Sequence, residues 1–242
     1  MRDRPARANP KPVAGGNAII DDSSTVRALR ITLLRLRMNT NESTAYRPGL
    51  VEYLRAQARP VDKFSHQARL HRLAVEIGSG FQYDEDVLFA AAWLHDLGVF
   101  AGHRPEELAQ LATWDHVAYV NRRAPEVLTR LGFPVAKIPA VQEAIRTHQP
   151  ADDPTTIEGT ILRDADLLEQ LGATAVLRTV SKVGRDTRFA TCADALRVLQ
   201  GNLERLPAKL RLPAARRLAG PRVVALRAFL DQARSEAGAV PW

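Results

Sequence analysis

Apolar residues recur every three or four positions along most of this chain, and glycine or proline interrupts the pattern at intervals. Within residues 62–78, Leu70, Leu73, Ala74 and Ile77 lie on one face of a helix, and Gly78 is typical of its C-terminal end. No segment alternates apolar and polar residues with the β-branched enrichment of a strand. The pattern therefore predicts an all-α fold, a helical bundle in a single compact domain.

Glycine and proline also set the bounds of the predicted helices. The predicted helical segments are 48–58, 62–78, 84–97, 105–131, 138–148 and 156–171, followed by two or three helices in 173–236 that Pro207, Pro213 and Pro221 separate. The helical domain thus covers residues 47–236, and 237–242 form a tail.

Residues 1–46 form an N-terminal extension in this interpretation. Residues 1–22 are rich in Pro, Gly and Arg without periodicity, which predicts a disordered tail. Residues 24–38 are compatible with a basic amphipathic helix, and equally with translated sequence upstream of a start at Met38. The sequence does not choose between Met1 and Met38 as the start.

Composition excludes several classes of protein. Hydrophobic residues make up 45% and charged residues 25% of the chain, as in ordinary globular proteins. The single cysteine, Cys192, excludes a disulfide framework and a multi-thiolate zinc site. No apolar stretch approaches the length of a membrane span, and the N-terminal residues lack the apolar region of a secretory signal. We therefore expect a cytoplasmic protein with no membrane partner.

Charge is distributed unevenly along the chain. Residues 61–172 carry a net charge of −7, whereas 1–60 carry +6 and 173–242 carry +8. Basic flanks are compatible with nucleic-acid binding, but the C-terminal arginines are scattered and lack interleaved aromatic residues, which is more typical of a solvated helix face. The acidic middle segment indicates a cation-binding site.

Two short motifs in that segment place titratable groups in apolar surroundings. His95 and Asp96 end the apolar run AAAWLHDLG, and Asp164 and Asp166 lie in ILRDADLLEQLGA. Burying such groups is costly unless something compensates their charge or polarity. A divalent metal ion would do so, because it favours the ionised carboxylate and the neutral imidazole.

The order of these motifs resembles the HD superfamily of metal-dependent phosphohydrolases. A first histidine, His66 in HQARLHRLA, is followed by the His95-Asp96 pair and by Asp166 in DADLLEQLGA. The resemblance is closest to small bacterial HD-domain hydrolases that share a DAD-x-LE-x-x-GA stretch, and it covers roughly residues 50–236. It implies an HD-type helical bundle in which His66, His95, Asp96 and Asp166 bind a divalent metal.

The two aspartates of the DAD stretch compete for the role of last ligand. Helical periodicity places Asp164 nearer the centre of the apolar stripe, whereas the resemblance selects Asp166. We follow the resemblance and expect Asp164 either to support the metal ligands from behind or to help position water. Arg69 shares a face with His66, so it could hold a substrate phosphate or orient a ligand carboxylate, or simply be a surface charge. His71 lies about 140° around the helix from His66 and is expected to be exposed.

Two further histidines complete the order H…HD…H…H…D. Several HD branches hold a second metal through extra histidines, for which His116 and His148 are the candidates here. Otherwise they would line the pocket, bind substrate phosphate or face solvent. His103 follows the HDLGVFAG loop and could approach the site. We expect proton transfer to involve Asp164, His116 or His148, with Asp96 at the reaction centre.

Three functional hypotheses follow. The leading one is a metal-dependent phosphohydrolase acting on a phosphate ester or nucleotide, with one or two ions per chain. The mixed nitrogen and oxygen ligands suit Mn, Fe, Co, Ni, Zn or Mg. The alternatives are an HD-type di-iron oxygenase, and a non-catalytic helical protein that binds a ligand or nucleic acid and keeps a structural metal.

Overall fold

The computed structural model describes residues 44–186 and 188–238, and these residues are helical, without any β-strand. The all-α prediction is confirmed. The helices of the N-terminal half are α1 (Tyr46–Gln57), α2 (Asp62–Gly78), α3 (Glu85–Leu94), α4 (Leu108–Ala112) and α5 (His116–Arg130). Those of the C-terminal half are α6 (Ile138–Arg146), α7 (Ile157–Glu169), α8 (Gly172–Val180), α9 (Cys192–Arg205) and α10 (Pro213–Ala237).

Most predicted segments agree with these bounds, but two segments and the predicted break at Pro221 do not. The segment 84–97 ends as a helix at Leu94 and continues into a 3₁₀ turn, Leu97–Val99. The segment 105–131 divides into α4 and α5 because Asp115 caps α5, its carboxylate accepting a hydrogen bond from the N–H of Ala118. The prediction that Pro221 separates two helices is wrong: Pro221 is exposed, and α10 continues through it.

Helix α3 is the apolar centre of the bundle. Every residue from Asp86 to Leu94 is buried. The alanines of its AAA run have small side chains, so neighbouring helices can approach closely, and α1, α2, α6 and α7 pack around it. The pair His95–Asp96 follows directly after this helix and therefore lies in the interior of the bundle.

The turn after α3 also lies very close to the start of α5. A Cβ built on Gly98 would lie 2.7 Å from the carbonyl oxygen of His116. The indole nitrogen of Trp114 donates a hydrogen bond to the Gly98 carbonyl, at 2.8 Å. Glycine at position 98 thus allows the first residue of α5 to lie beside the His95–Asp96 turn.

Several predictions fall outside the described residues. Residues 1–43 of the predicted extension 1–46 lie outside them, including the predicted tail 1–22 and helix 24–38, and so do residues 239–242 of the predicted C-terminal tail. The described part of the chain belongs to one compact unit that begins at residue 43. Among its helices, none combines the length and hydropathy needed to cross a membrane.

Candidate metal centre

Three helical segments bring four of the predicted ligands together. His66 lies on α2, His95 and Asp96 follow α3, and Asp166 lies on α7. Nε2 of His66 lies 3.6 Å from Oδ2 of Asp96 and 3.6 Å from Oδ1 of Asp166, and Nε2 of His95 lies 3.7 Å from Oδ2 of Asp96. Two ligands that each lie about 2.1 Å from one ion are roughly 3.0–3.5 Å apart. The observed spacings are close to that range.

The two buried histidines present unpaired nitrogens to this space. Nδ1 of His66 donates to Oε2 of Glu169 at 3.3 Å, and Nδ1 of His95 donates to the carbonyl of Ala92 at 3.0 Å. In a neutral ring, Nε2 then carries a lone pair rather than a proton. Neither Nε2 atom has a hydrogen-bond partner among the described residues, although both are buried. A metal ion is the partner that this arrangement fits, since ligating histidines are held in this way by their other nitrogen.

The charge states of the site suit a cation. Burial alone would raise the pKa of Asp96, but the electrostatic influence of His95, His66 and Lys63 outweighs it and holds that pKa well below its usual range. Burial lowers the pKa of His95, more than the neighbouring carboxylates raise it. At neutral pH the carboxylate is therefore ionised and the imidazole is neutral, which are the forms that bind a metal.

A second group of candidate ligands shares Asp96 with the first. The ligand atoms of Asp96, His116 and His148 lie within 4.8 Å of one another, as do those of His66, His95 and Asp96. Oδ2 of Asp96 faces His66 and His95, while Oδ1 lies 3.9 Å from Nε2 of His116. The two carboxylate oxygens thus face different histidines. Burial lowers the pKa of both His116 and His148.

Glu169 is a site residue that the sequence analysis missed. It is buried at the end of α7, and its Oε2 accepts from Nδ1 of His66, Nε of Arg69 and NH1 of Arg178. Burial would raise its pKa, but the hydrogen bond from His66 and the charges of His66, Arg178 and Arg69 lower it to about 2. The signal was present in the sequence, because Glu169 follows Asp166 by three residues and so shares its face.

Arg69 lies beside Glu169 rather than among the four candidate ligands. Its Nε donates to Oε2 of Glu169 at 3.2 Å, and its NH1 donates to Oγ of Ser65. Of the roles considered for Arg69, this geometry matches the orientation of a carboxylate. That carboxylate is the hydrogen-bond partner of His66.

Asp164 is not brought into the metal cluster. It is fully buried, and its oxygens accept hydrogen bonds from the backbone N–H groups of Arg211, at 2.9 Å, and Leu212, at 2.7 Å. The helical periodicity of the apolar residues therefore correctly predicted that Asp164 faces the core. The expected role in positioning water is not supported, because this carboxylate satisfies the backbone of the segment that leads into α10.

The two remaining histidines lie away from the centre. His103 contacts the hydroxyl of Tyr119 and Oε1 of Gln57, each at 2.8 Å, so both of its ring nitrogens are occupied. His71 packs edge-on against Phe89 with ring centroids 4.9 Å apart and is half-buried. The prediction of an exposed His71 is wrong, since α3 covers one side of its ring.

Two partly buried lysines belong to an electrostatically coupled group that includes Asp96. Burial lowers the pKa of Lys63 although Asp96 opposes the shift, and the charges of Arg178 and Arg104 lower it further. Burial and the neighbouring charges of Lys63 and Arg178 lower the pKa of Lys182 to about 8. Because Lys63 interacts with Asp96 and Lys182 interacts with Lys63, this group of cations favours the binding of an anion.

A cavity of about 250 Å³ is lined partly by residues that interact electrostatically with Lys63. These residues are Arg104, which lowers the pKa of Lys63, and Asp186, which raises it. The other lining residues include the apolar side chains of Leu108 and Leu111. The cavity thus combines apolar walls with charged groups.

Comparison with known proteins identifies the domain. The family model described as HD domain matches residues 64–171, which contain His66, His95, Asp96 and Asp166. Over these residues the chain is similar to HD domains. The family resemblance predicted from the ordered histidines and aspartates is thereby confirmed.

Solved structures with the same fold include several HD proteins. A predicted HD superfamily hydrolase from an uncultured Thermotogales bacterium is 27% identical, with a TM-score of 0.55, over 79% of this chain and 92% of that chain. An HD-superfamily hydrolase from Bacillus thuringiensis is 20% identical, with a TM-score of 0.59, over 80% and 97%. Bacillus subtilis YpgQ in complex with ADP is 21% identical, with a TM-score of 0.63, over 82% and 98%.

Among curated proteins, no match to the chain was found. The HD domain and the hydrolase neighbours support hydrolysis as the general class of activity. The substrate must be inferred from the site.

Proposed function

We propose that this HD domain is a metal-dependent phosphohydrolase that acts on a nucleotide or a related phosphate ester. The observation that carries the proposal is the pair of buried, unpaired Nε2 atoms of His66 and His95, which face the ionised carboxylate of Asp96. With Asp166, these residues supply two nitrogens and two carboxylates, a ligand set that suits several divalent ions. When bound, the ion lowers the pKa of water and polarises a phosphoryl group.

The protein residues around this centre have separate roles in the proposal. Glu169 holds the ring of His66 through Nδ1, and Arg69 and Arg178 hold Glu169. His116 is the candidate general base, because its side chain is 25% exposed and burial lowers its pKa, which favours the neutral imidazole that can take up a proton. His148 is fully buried and is the less accessible of the two.

Substrate binding is assigned to the basic side of the site. In the proposal, Lys63 and Lys182 bind phosphate oxygens, and the cavity lined by Arg104 and Asp186 holds the less polar part of a nucleotide. The ADP complex of the structurally similar YpgQ supports a nucleotide as the ligand class. The cationic side chains would bind the phosphates of such a ligand, and the apolar cavity residues Leu108 and Leu111 would contact its base.

A di-iron oxygenase is the second candidate, and one observation favours it. The carboxylate of Asp96 faces both ligand groups, one through each oxygen, as a bridging ligand between two ions would. We rank it second because the basic residues beside the centre favour an anionic phosphate substrate.

Hydrolysis by metal-depleted protein tests the leading proposal. The protein is stripped with chelator, then supplied in turn with Mn²⁺, Fe²⁺, Co²⁺, Ni²⁺, Zn²⁺ and Mg²⁺ and assayed for phosphate or pyrophosphate release from nucleoside mono-, di- and triphosphates. We expect metal-dependent turnover that Asp96→Asn abolishes. Oxygen consumption with iron, without release from any phosphate ester, would instead support the oxygenase.

A further inference from the structure

A glutamine occupies the space between the two histidines of the second ligand group. Nε2 of Gln149 lies 3.1 Å from Nε2 of His116 and 3.2 Å from Nε2 of His148. These are the atoms through which the two histidines would bind a second ion together with Oδ1 of Asp96. The side-chain amide therefore takes up the hydrogen-bonding capacity that such an ion would use.

The direction of the hydrogen bond between Gln149 and His148 is fixed by the backbone. Nδ1 of His148 contacts the carbonyl oxygen of Ile145 at 2.6 Å, and a carbonyl oxygen only accepts. In the neutral ring, Nδ1 therefore carries the proton and Nε2 is an acceptor. The NH₂ group of Gln149 has two hydrogens, so it can donate one to His148 and one to His116.

The backbone of Gln149 is anchored on both sides. Its N–H donates to Oδ2 of Asp152 at 2.8 Å, and its carbonyl accepts from Nε of Arg163 at 3.3 Å. Arg163 is buried and also donates to the carbonyls of Pro150, at 3.0 Å, and Lys209, at 2.9 Å. The loop is thus fastened to the segment before α10, and the amide is held against the two histidines.

We propose that Gln149 restricts this centre to one tightly bound metal ion by supplying an internal partner for His116 and His148. This inference rests on the proposed function, since it decides between the one-metal and two-metal forms of that same site. An ion entering the second position must displace two amide hydrogen bonds from an anchored side chain, which weakens its binding. The first position has no such competitor, because Nε2 of His66 and of His95 is unpaired.

Metal titration of the full chain tests the proposal. Wild type, Gln149→Ala and Gln149→Glu are stripped with chelator and titrated with Co²⁺, with bound cobalt measured by equilibrium dialysis and its visible absorption. Gln142→Ala is the matched control, because the amide of Gln142 donates to the carbonyl of Asn121 rather than to a histidine. Gln149→Glu adds a carboxylate ligand and serves if Gln149→Ala does not fold, as judged by circular dichroism.

We expect wild type and Gln142→Ala to bind one Co²⁺ tightly. We expect these two proteins to bind a second Co²⁺ at least about 10-fold more weakly than Gln149→Ala and Gln149→Glu bind it. Equal affinity for the second ion in wild type and both Gln149 variants would overturn the proposal. If phosphate release persisted in that case, the proposed function would stand without it. Failure of every protein to bind cobalt would refute both the metal centre and the role of Gln149.

Discussion

Glu169 offers a sharp test of how the centre is held together, since it contacts the site only through another residue. Its carboxylate is buried and accepts the Nδ1 proton of His66 at 3.3 Å. Glu169→Gln keeps the size of the side chain but removes its negative charge. We expect this change to make His66 a poorer metal ligand, because an anionic partner on Nδ1 raises the basicity of Nε2.

The expected magnitude follows from the contacts of Glu169. Loss of such a partner typically weakens metal binding by 10- to 100-fold, which is about 1.4 to 2.7 kcal/mol. The pairs with Arg69 and Arg178 contribute to stability rather than directly to metal affinity, and both arginines are partly exposed, so their contribution is modest. Since the pKa of Glu169 is lowered to about 2, its stabilising charge is present above pH 4.5 and is lost as the pH falls towards 2.

Calorimetric titration of stripped protein with Mn²⁺ or Zn²⁺ measures the effect. Glu143→Gln is the matched control, because Glu143 is partly exposed and pairs with Arg146 on the surface of α6. A thermal melt without metal separates the loss of stability from the loss of affinity. Metal binding by Glu169→Gln that is as tight as in wild type would refute the argument that Glu169 orients His66.

Two other predictions concern the substrate side and the turn after α3. Because the pKa of Lys182 is lowered to about 8, the ammonium group loses its charge as the pH rises through 8. We therefore expect KM for a nucleotide to increase between about pH 8 and 9.5 in wild type, and to increase much less in Lys182→Arg. Identical pH profiles of KM in the two proteins would exclude a role for Lys182 in phosphate binding. Gly98→Ala would place a Cβ 2.7 Å from the carbonyl oxygen of His116, so we expect unfolding free energy to fall by about 1–3 kcal/mol in urea denaturation and kcat to fall as His116 moves. Wild-type stability and turnover in Gly98→Ala would show that this approach can relax without cost.

Much of the fold was predictable because periodicity and helix punctuation are local signals. The bounds of α2 agree with the prediction, since its apolar stripe ends at a glycine. The predicted break at Pro221 is wrong because a proline on an exposed helix face removes one hydrogen bond without ending the helix, and sequence alone does not show which face packs.

The candidate metal ligands were predictable from the sequence, but the hydrogen bonds that hold them were not. His66, His95, Asp96 and Asp166 were identified from order and resemblance, and the structure brings them together. Local spacing places Glu169 on the face of Asp166, but it does not reveal that Glu169 contacts His66, 103 positions away, or that Gln149 contacts His116, 33 positions away. Asp164 shows the converse, because its burial was predicted but its partners, the backbone of 211–212, lie in a distant segment.

Metal content in variants of the two DAD aspartates tests the central claim most directly. Wild type, Asp164→Asn and Asp166→Asn are purified without added metal, and bound divalent ions are quantified by mass spectrometry alongside urea denaturation. We predict about one ion per chain in wild type and in Asp164→Asn, with the latter destabilised by about 1–3 kcal/mol, and almost none in Asp166→Asn. Undiminished metal in Asp166→Asn, or its loss from a folded Asp164→Asn, would contradict the assignment of this metal centre.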